Sequence, residues 1–305
     1  SWVVYGLGTE RNDLPAYVVL SDPAGLPIDR ANNWSSGFLP AVYQGTTFRS
    51  TGMPVLHLDR PEDVSGVARR NQLTLLERLN TSHSKQHPGN SDLQARIRNF
   101  ELAARMQTSV PSALDISQET KETQSLYGLD SPATADYGRR CLMARRLVEE
   151  GVRFVSLYLN SQPWDTHSKN AENLKKLCGR MDRPSAALVI DLKRRGLLDD
   201  TIVMWAGEFG RLPVAQGTDG RDHNRHAFSL WLAGGGFRKG YVHGKTDDFA
   251  YKAVENVVNV HDLHATLLHA LGLDHELLTY PNEGRDETLT DVLVTGASVV
   301  DDLLA

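Results

Sequence analysis

Apolar residues recur along this chain with two different periods. Between residues 62 and 79, Leu73, Leu76 and Leu79 follow helical spacing, and between 91 and 107 Leu93, Ile97, Phe100 and Ala104 do the same, which predicts two surface-packed helices. Residues 80–90 between them carry His83, His87, Pro88 and Gly89 without a carboxylate, a composition that reads as a solvated loop rather than a ligand set. Elsewhere in the N-terminal third, Pro and Gly punctuate the chain, as in Ser21-Asp22-Pro23-Ala24-Gly25 and Gly52-Met53-Pro54, after a short strand expected at 16–20.

The second half alternates helical and strand-like segments, the pattern of a parallel sheet covered by helices. A helix is predicted over 136–150, with Gly151 placed for a left-handed cap. Residues 152–159 follow as a strand apolar on both alternations, and they lead to Trp164-Asp165-Thr166-His167. A helical region then runs to Arg195, with Pro184 opening its second part and Gly196 closing it. Residues 201–206 and 228–232 read as further buried strands, the second ending in Gly234-Gly235-Gly236. The last clear helix is 262–271, with Asp262 as its N-cap. The expected fold class is therefore α/β, a mostly parallel central sheet flanked by helices on both faces.

Composition narrows the function. The 305 residues, 40% of them hydrophobic, suffice for a substantial core and are read as one domain over 1–305. A formal charge of -5 offers no general attraction to nucleic acid. No apolar run approaches the roughly 18 residues of a membrane span. Cys141 and Cys178 are the only cysteines, each within a helical pattern, so a disulfide framework or thiolate zinc site is not expected.

In an open α/β sheet, ligands bind beyond the carboxyl ends of the strands. Asp165, His167 and Glu208 stand directly after apolar runs, and Asp222-His223 lie in a glycine-flanked loop just before the third strand. Carboxylates and imidazoles of this kind suit a divalent cation. An adjacent Asp and His can place two ligands, or the aspartate can orient an imidazole from behind; an Asx-turn beside a surface histidine is the competing reading. His226 competes with His223 for the ligand role. Arg211 is placed to bind an anionic group through its guanidinium fork, or to form a surface ion pair. His261-Asp262-Leu263-His264 is read as a helix start, and Asp274-His275-Glu276 as polar groups at a helix end. No Lys-Ser/Thr follows the triple glycine, and Gly-x-Ser-x-Gly is absent, which disfavours a nucleotide-binding loop and a common serine hydrolase.

These residues sit within fragments spread over nearly the whole chain: WVVYGLG at 2–8, GFLPAVYQG at 37–45, CLMARRLVEEGVRF at 141–154, GLLDDTIVMWAGEFGR at 196–211, GRDHN at 220–224 and HDLHATLLHALGLDH at 261–275. In this order they resemble the bacterial family known as domain of unknown function 1501, whose members are often labelled sulfatase-like, within the alkaline phosphatase-like superfamily. The resemblance implies an alkaline phosphatase-like sheet, a site for two divalent cations (zinc, manganese, magnesium or calcium), and hydrolysis of sulfate or phosphate esters of small molecules or carbohydrates. It implies metal ligation by Asp165, His167, Glu208, Asp222 and His223, with Arg211 on the substrate. Phe209 stands where the superfamily has a histidine, and Glu208 where it has an aspartate, so the second cation site is altered or completed by Asp222. The nucleophile and the first-strand ligand are expected upstream of Ser1, and export or a periplasmic location is implied by the twin-arginine signals of relatives. The alternative is a non-catalytic metal-binding or structural protein that keeps the fold.

Overall fold

The computed structural model describes residues 1–55, 65–215 and 217–305. In chain order the helices and strands are α1 (Trp2–Leu7), β1 (Tyr17–Leu20), β2 (Thr46–Phe48), α2 (Gly66–Gln86), α3 (Ser91–Leu114), α4 (Lys121–Leu126), α5 (Ala135–Glu149), β3 (Phe154–Leu157), α6 (Asn170–Arg194) and β4 (Val203–Trp205). They continue with β5 (Gly210–Arg211), β6 (His223–Asn224), β7 (Trp231–Ala233), β8 (Lys245–Thr246), β9 (Ala253–Glu255), α7 (Val260–Ala270), β10 (Tyr280–Asn282), β11 (Arg285–Glu287) and α8 (Val292–Thr295). The chain divides into two compact units, one of Ser1–Gln118 with Arg146–Tyr158, the other of Glu119–Arg145 with Leu159–Ala305.

The first unit holds a three-stranded parallel sheet in the order β2-β1-β3. Its central strand, Tyr-Val-Val-Leu, is buried at all four positions, as an apolar, β-branched strand paired on both edges should be. Val19 packs with Val4, Tyr17 and Trp34. Gly45 enters β2 so close to this cluster that a Cβ there would lie 2.6 Å from Val19 Cγ2. The two expected helices are present and longer than their apolar periods. The start of the first, at residues 62–64, lies outside the described residues. Its end is Gln86, so His83 is helical rather than in a loop. Nothing in Asn80 to Gln86 breaks a helix, and Pro88-Gly89 is the first stop signal. Asn90 then caps α3 by accepting the Leu93 N–H at 2.9 Å.

In the second unit α6 runs unbroken for 25 residues with Pro184 inside it, so Pro184 does not open a separate helix. Gly196 follows at φ 71°, the left-handed conformation that suits glycine after a helix. Around α6 lies a buried ionic cluster. Arg145, 1% exposed, pairs with Glu119 Oε1 at 2.6 Å and Asp191 Oδ2 at 3.0 Å, while the Tyr127 hydroxyl donates to Asp191 at 3.1 Å. Buried charges persist only when partnered in this way. Cys141 is buried and free, and burial pushes its thiol up to about 12. At α7 the cap is Asn259, not Asp262. Asp262 is the third helical residue of a capping box, accepting the Asn259 N–H at 3.0 Å while its own N–H is accepted by Asn259 at 2.9 Å.

The expected architecture, an alkaline phosphatase-like, mostly parallel central sheet with helices on both faces, is overturned. Parallel pairing is confined to the three short strands β1, β2 and β3. The other sheets of the described residues are two-stranded and antiparallel: β4 with β7, β5 with β6, β8 with β9, and β10 with β11. The segments 201–206 and 228–232, read as buried parallel strands, yield the antiparallel pair β4 and β7, with Trp205 opposite Trp231. Met204 in β4 is 45% exposed. A short apolar run carries no information on the direction of its partner, and this is where the expectation failed. Among the described residues, no helix is long and apolar enough to cross a membrane.

Candidate metal centre

Two backbone segments build the site, both in the second unit. The first is the tight turn after β3, where the Asp165 N–H donates to Gln162 O at 3.0 Å and the Thr166 N–H to Trp164 O at 3.0 Å. Thr166 is buried, and its hydroxyl donates to Asn170 Oδ1 at 2.6 Å, which ties the turn to the start of α6. The second segment, 218–223, lies directly against the first. The Arg221 N–H donates to Thr166 O at 2.9 Å and the Asn170 N–H to Asp219 O at 2.9 Å. Gly220 makes this approach possible, because a Cβ there would stand 1.9 Å from His167 O. From it the chain enters β6, which pairs antiparallel with β5 so that Arg211 lies opposite His223.

The outcome is a triangle of donor atoms. Asp165 Oδ1 lies 3.0 Å from His167 Nε2 and 2.9 Å from His223 Nε2; the two Nε2 atoms are 3.1 Å apart. Among the described residues this is the one group of three Asp, Glu, His or Cys side chains close enough to share an ion. Ligands about 2.0 to 2.2 Å from a tetrahedral ion stand roughly 3.3 to 3.6 Å apart. A small outward movement of the two half-exposed rings would reach that spacing.

A carboxylate accepts, so the contact of Asp222 with His167 Nδ1 at 3.3 Å places a ring proton on Nδ1 and turns Nε2 toward Asp165. A cation within the triangle could be ligated by all three atoms. The donor set, one carboxylate oxygen and two imidazole nitrogens, fits zinc and neighbouring divalent ions.

Arg211 and Glu208 extend the cluster. The Arg211 guanidinium bridges Asp165 Oδ1 through Nη1 and Glu208 Oε1 through Nη2, the latter at 2.9 Å. Burial pushes the Asp165 carboxyl up, but the His223 hydrogen bond and the charges of Arg211, His167 and His223 outweigh it and hold the carboxyl below its ordinary range. Phe209 fills the side of the site, its ring 4.6 Å from that of His223 and 5.2 Å from the Arg211 guanidinium carbon. Asp165 and Arg211 are mostly covered, with side chains 18% and 19% exposed, whereas His167 and His223 are 52% and 50% exposed. The triangle therefore faces solvent.

The structure thus gathers Asp165, His167, Asp222, His223, Arg211 and Glu208 in one place, with Glu208 attached through Arg211. Asp222 orients His167 from across the loop rather than its neighbour His223. His226 stands apart, its Nε2 accepting from Arg225 at 3.4 Å. His275 is buried against the Thr290 hydroxyl at 3.1 Å, and Asp274 accepts the Glu276 N–H at 2.9 Å, both structural roles. Gly220, Thr166 and Asn170 escaped the sequence reading as site residues. The glycine in Thr218-Asp219-Gly220-Arg221 was the available signal.

A family model described as "Protein of unknown function (DUF1501)" matches residues 1–304. The chain belongs to that family. Neither the curated proteins nor the solved structures compared with it give a match.

Proposed function

We propose that Asp165, His167 and His223 hold one divalent cation, and that the chain is a metal-dependent hydrolase of sulfate or phosphate esters. The observation that carries this reading is the convergence of one carboxylate oxygen and two Nε2 atoms, 2.9 to 3.1 Å apart, on a face open to solvent. When bound, a divalent cation polarises an ester oxygen and acidifies a water molecule. Asp222 holds His167 in the tautomer that ligates, and Asp165 contributes the negative charge. Arg211 is the cationic side chain beside the triangle, placed for the anionic part of the ester. A single cation is favoured over two because Asp222 is engaged with His167 and Glu208 with Arg211.

The test is metal content after dialysis against zinc or manganese, together with hydrolysis of p-nitrophenyl phosphate and p-nitrophenyl sulfate before and after chelation. About one ion per chain and chelator-sensitive turnover are expected, both lost in Asp165→Ala and His223→Ala. A bound ion without turnover of either ester assigns a non-catalytic metal-binding role, and absence of any bound ion removes the proposal.

A further inference from the structure

We infer that Arg211 is a built-in competitor for the cation, holding the Asp165 carboxylate until metal takes it, with Glu208 as the tether that keeps the guanidinium in place afterwards. The inference rests on the metal reading above. One atom, Asp165 Oδ1, is the meeting point of the whole cluster: it receives His167 Nε2 at 3.0 Å, His223 Nε2 at 2.9 Å and the Arg211 guanidinium. A small dication on Asp165 Oδ1 and the Arg211 guanidinium draw on the same oxygen's lone-pair density, so each weakens the other's contact.

Three features make Arg211 suited to yielding without being lost. Its second arm already pairs with Glu208 at 2.9 Å, and that carboxylate is 53% exposed, outside the covered part of the cluster. Its plane rests beside the Phe209 ring, 5.2 Å from the centroid, a surface that holds a guanidinium in several orientations. Its backbone is fixed opposite His223 by the β5–β6 pairing. Released from Asp165, the Nη1 arm stays beside the triangle with its hydrogen-bonding capacity free. In the metal-free chain the same arm pairs with Asp165.

The experiment is calorimetric titration of the whole chain with zinc or manganese alone, comparing wild type, Arg211→Gln and Arg211→Lys. Removal of a charge-assisted contact corresponds to a tightening of roughly tenfold for Arg211→Gln. Arg211→Lys keeps the charge but loses the fork that spans two carboxylates, and its affinity is expected between the two. Equal or weaker binding by Arg211→Gln overturns the inference. So does Arg211→Lys at the wild-type value beside a tighter Arg211→Gln, since that pattern reports only the field of the charge. If Arg211→Gln fails to fold, Arg211→Lys against wild type decides alone. Binding by neither wild type nor variants removes the metal reading itself, whereas wild-type binding with unchanged variants removes only the competitor.

Discussion

His167 and Asp222, distant in the chain, meet across the site with Nδ1 and Oδ1 3.3 Å apart, while Nε2 of the same ring faces Asp165. A carboxylate behind a ligating imidazole fixes its tautomer and raises its basicity, and losing such a partner typically costs about 10- to 100-fold in metal affinity. Asp222→Asn is therefore expected to weaken zinc binding within that range while leaving the far-ultraviolet spectrum unchanged. Titration calorimetry reads it directly; unchanged affinity would show that the contact does not orient a ligand.

Gly220 sets the distance between the two segments of the site. Its added Cβ in Gly220→Ala would lie 1.9 Å from His167 O and 2.2 Å from His167 C, both backbone atoms, so the loop must move. Overpacking of this kind costs about 1 to 3 kcal/mol, and it separates His223 from Asp165. Urea unfolding should show that loss of stability, and metal affinity should fall with it. A variant as stable and as tight-binding as wild type would mean that the 218–222 loop does not need its close approach.

The cluster of Arg145, Glu119 and Asp191 predicts an asymmetric response. Asp191 accepts from Tyr127 and pairs with both Arg145 and Arg195, so Asp191→Ala takes a carboxylate partner from a guanidinium 1% exposed. Breaking a buried pair costs about 3 to 5 kcal/mol, and thermal unfolding should move accordingly. Tyr127→Phe removes only one neutral donor and should cost about 1 kcal/mol. Equal effects would contradict the burial of Arg145.

Asp13 gives the stability of the first unit a pH dependence. The hydrogen-bonded Arg11 guanidinium, at 2.8 Å from Asp13 Oδ1, holds its carboxyl below the ordinary range against a smaller opposing effect of burial. A depressed folded value means the contribution is complete above the unfolded value of about 3.9 and is lost as pH falls through the folded one. The pair is about a third exposed, so its worth is no more than about 1 kcal/mol. Asp13→Asn should melt slightly below wild type at pH 7, and the gap should close as pH falls through the folded value. A gap that persists or widens in acid would reverse the assigned sign.

Much of this structure could be read from local patterns because those patterns act locally. The helices at Ser91–Leu114, Ala135–Glu149 and Val260–Ala270 follow from apolar spacing and from caps one turn away. The strand at Tyr17–Leu20 follows from its unbroken apolar run. Asp165, His167, Glu208 and Asp222-His223 drew notice from their positions at the ends of apolar runs, which requires no knowledge of what they face. The extension of α2 past Leu79 was missed because polar residues without Gly or Pro do not stop a helix.

The order of residues by itself determined which segments are helical, where charged and imidazole side chains are available, and that Gly220 is free of a side chain. Only the tertiary structure decided that β4 meets β7 antiparallel, that His223 comes to Asp165 through the pairing of β5 with β6, and that Asp222 serves His167 instead of its own neighbour. Strand direction and cross-chain register are set by hydrogen bonds between residues far apart in sequence, and a short apolar run satisfies either direction equally well.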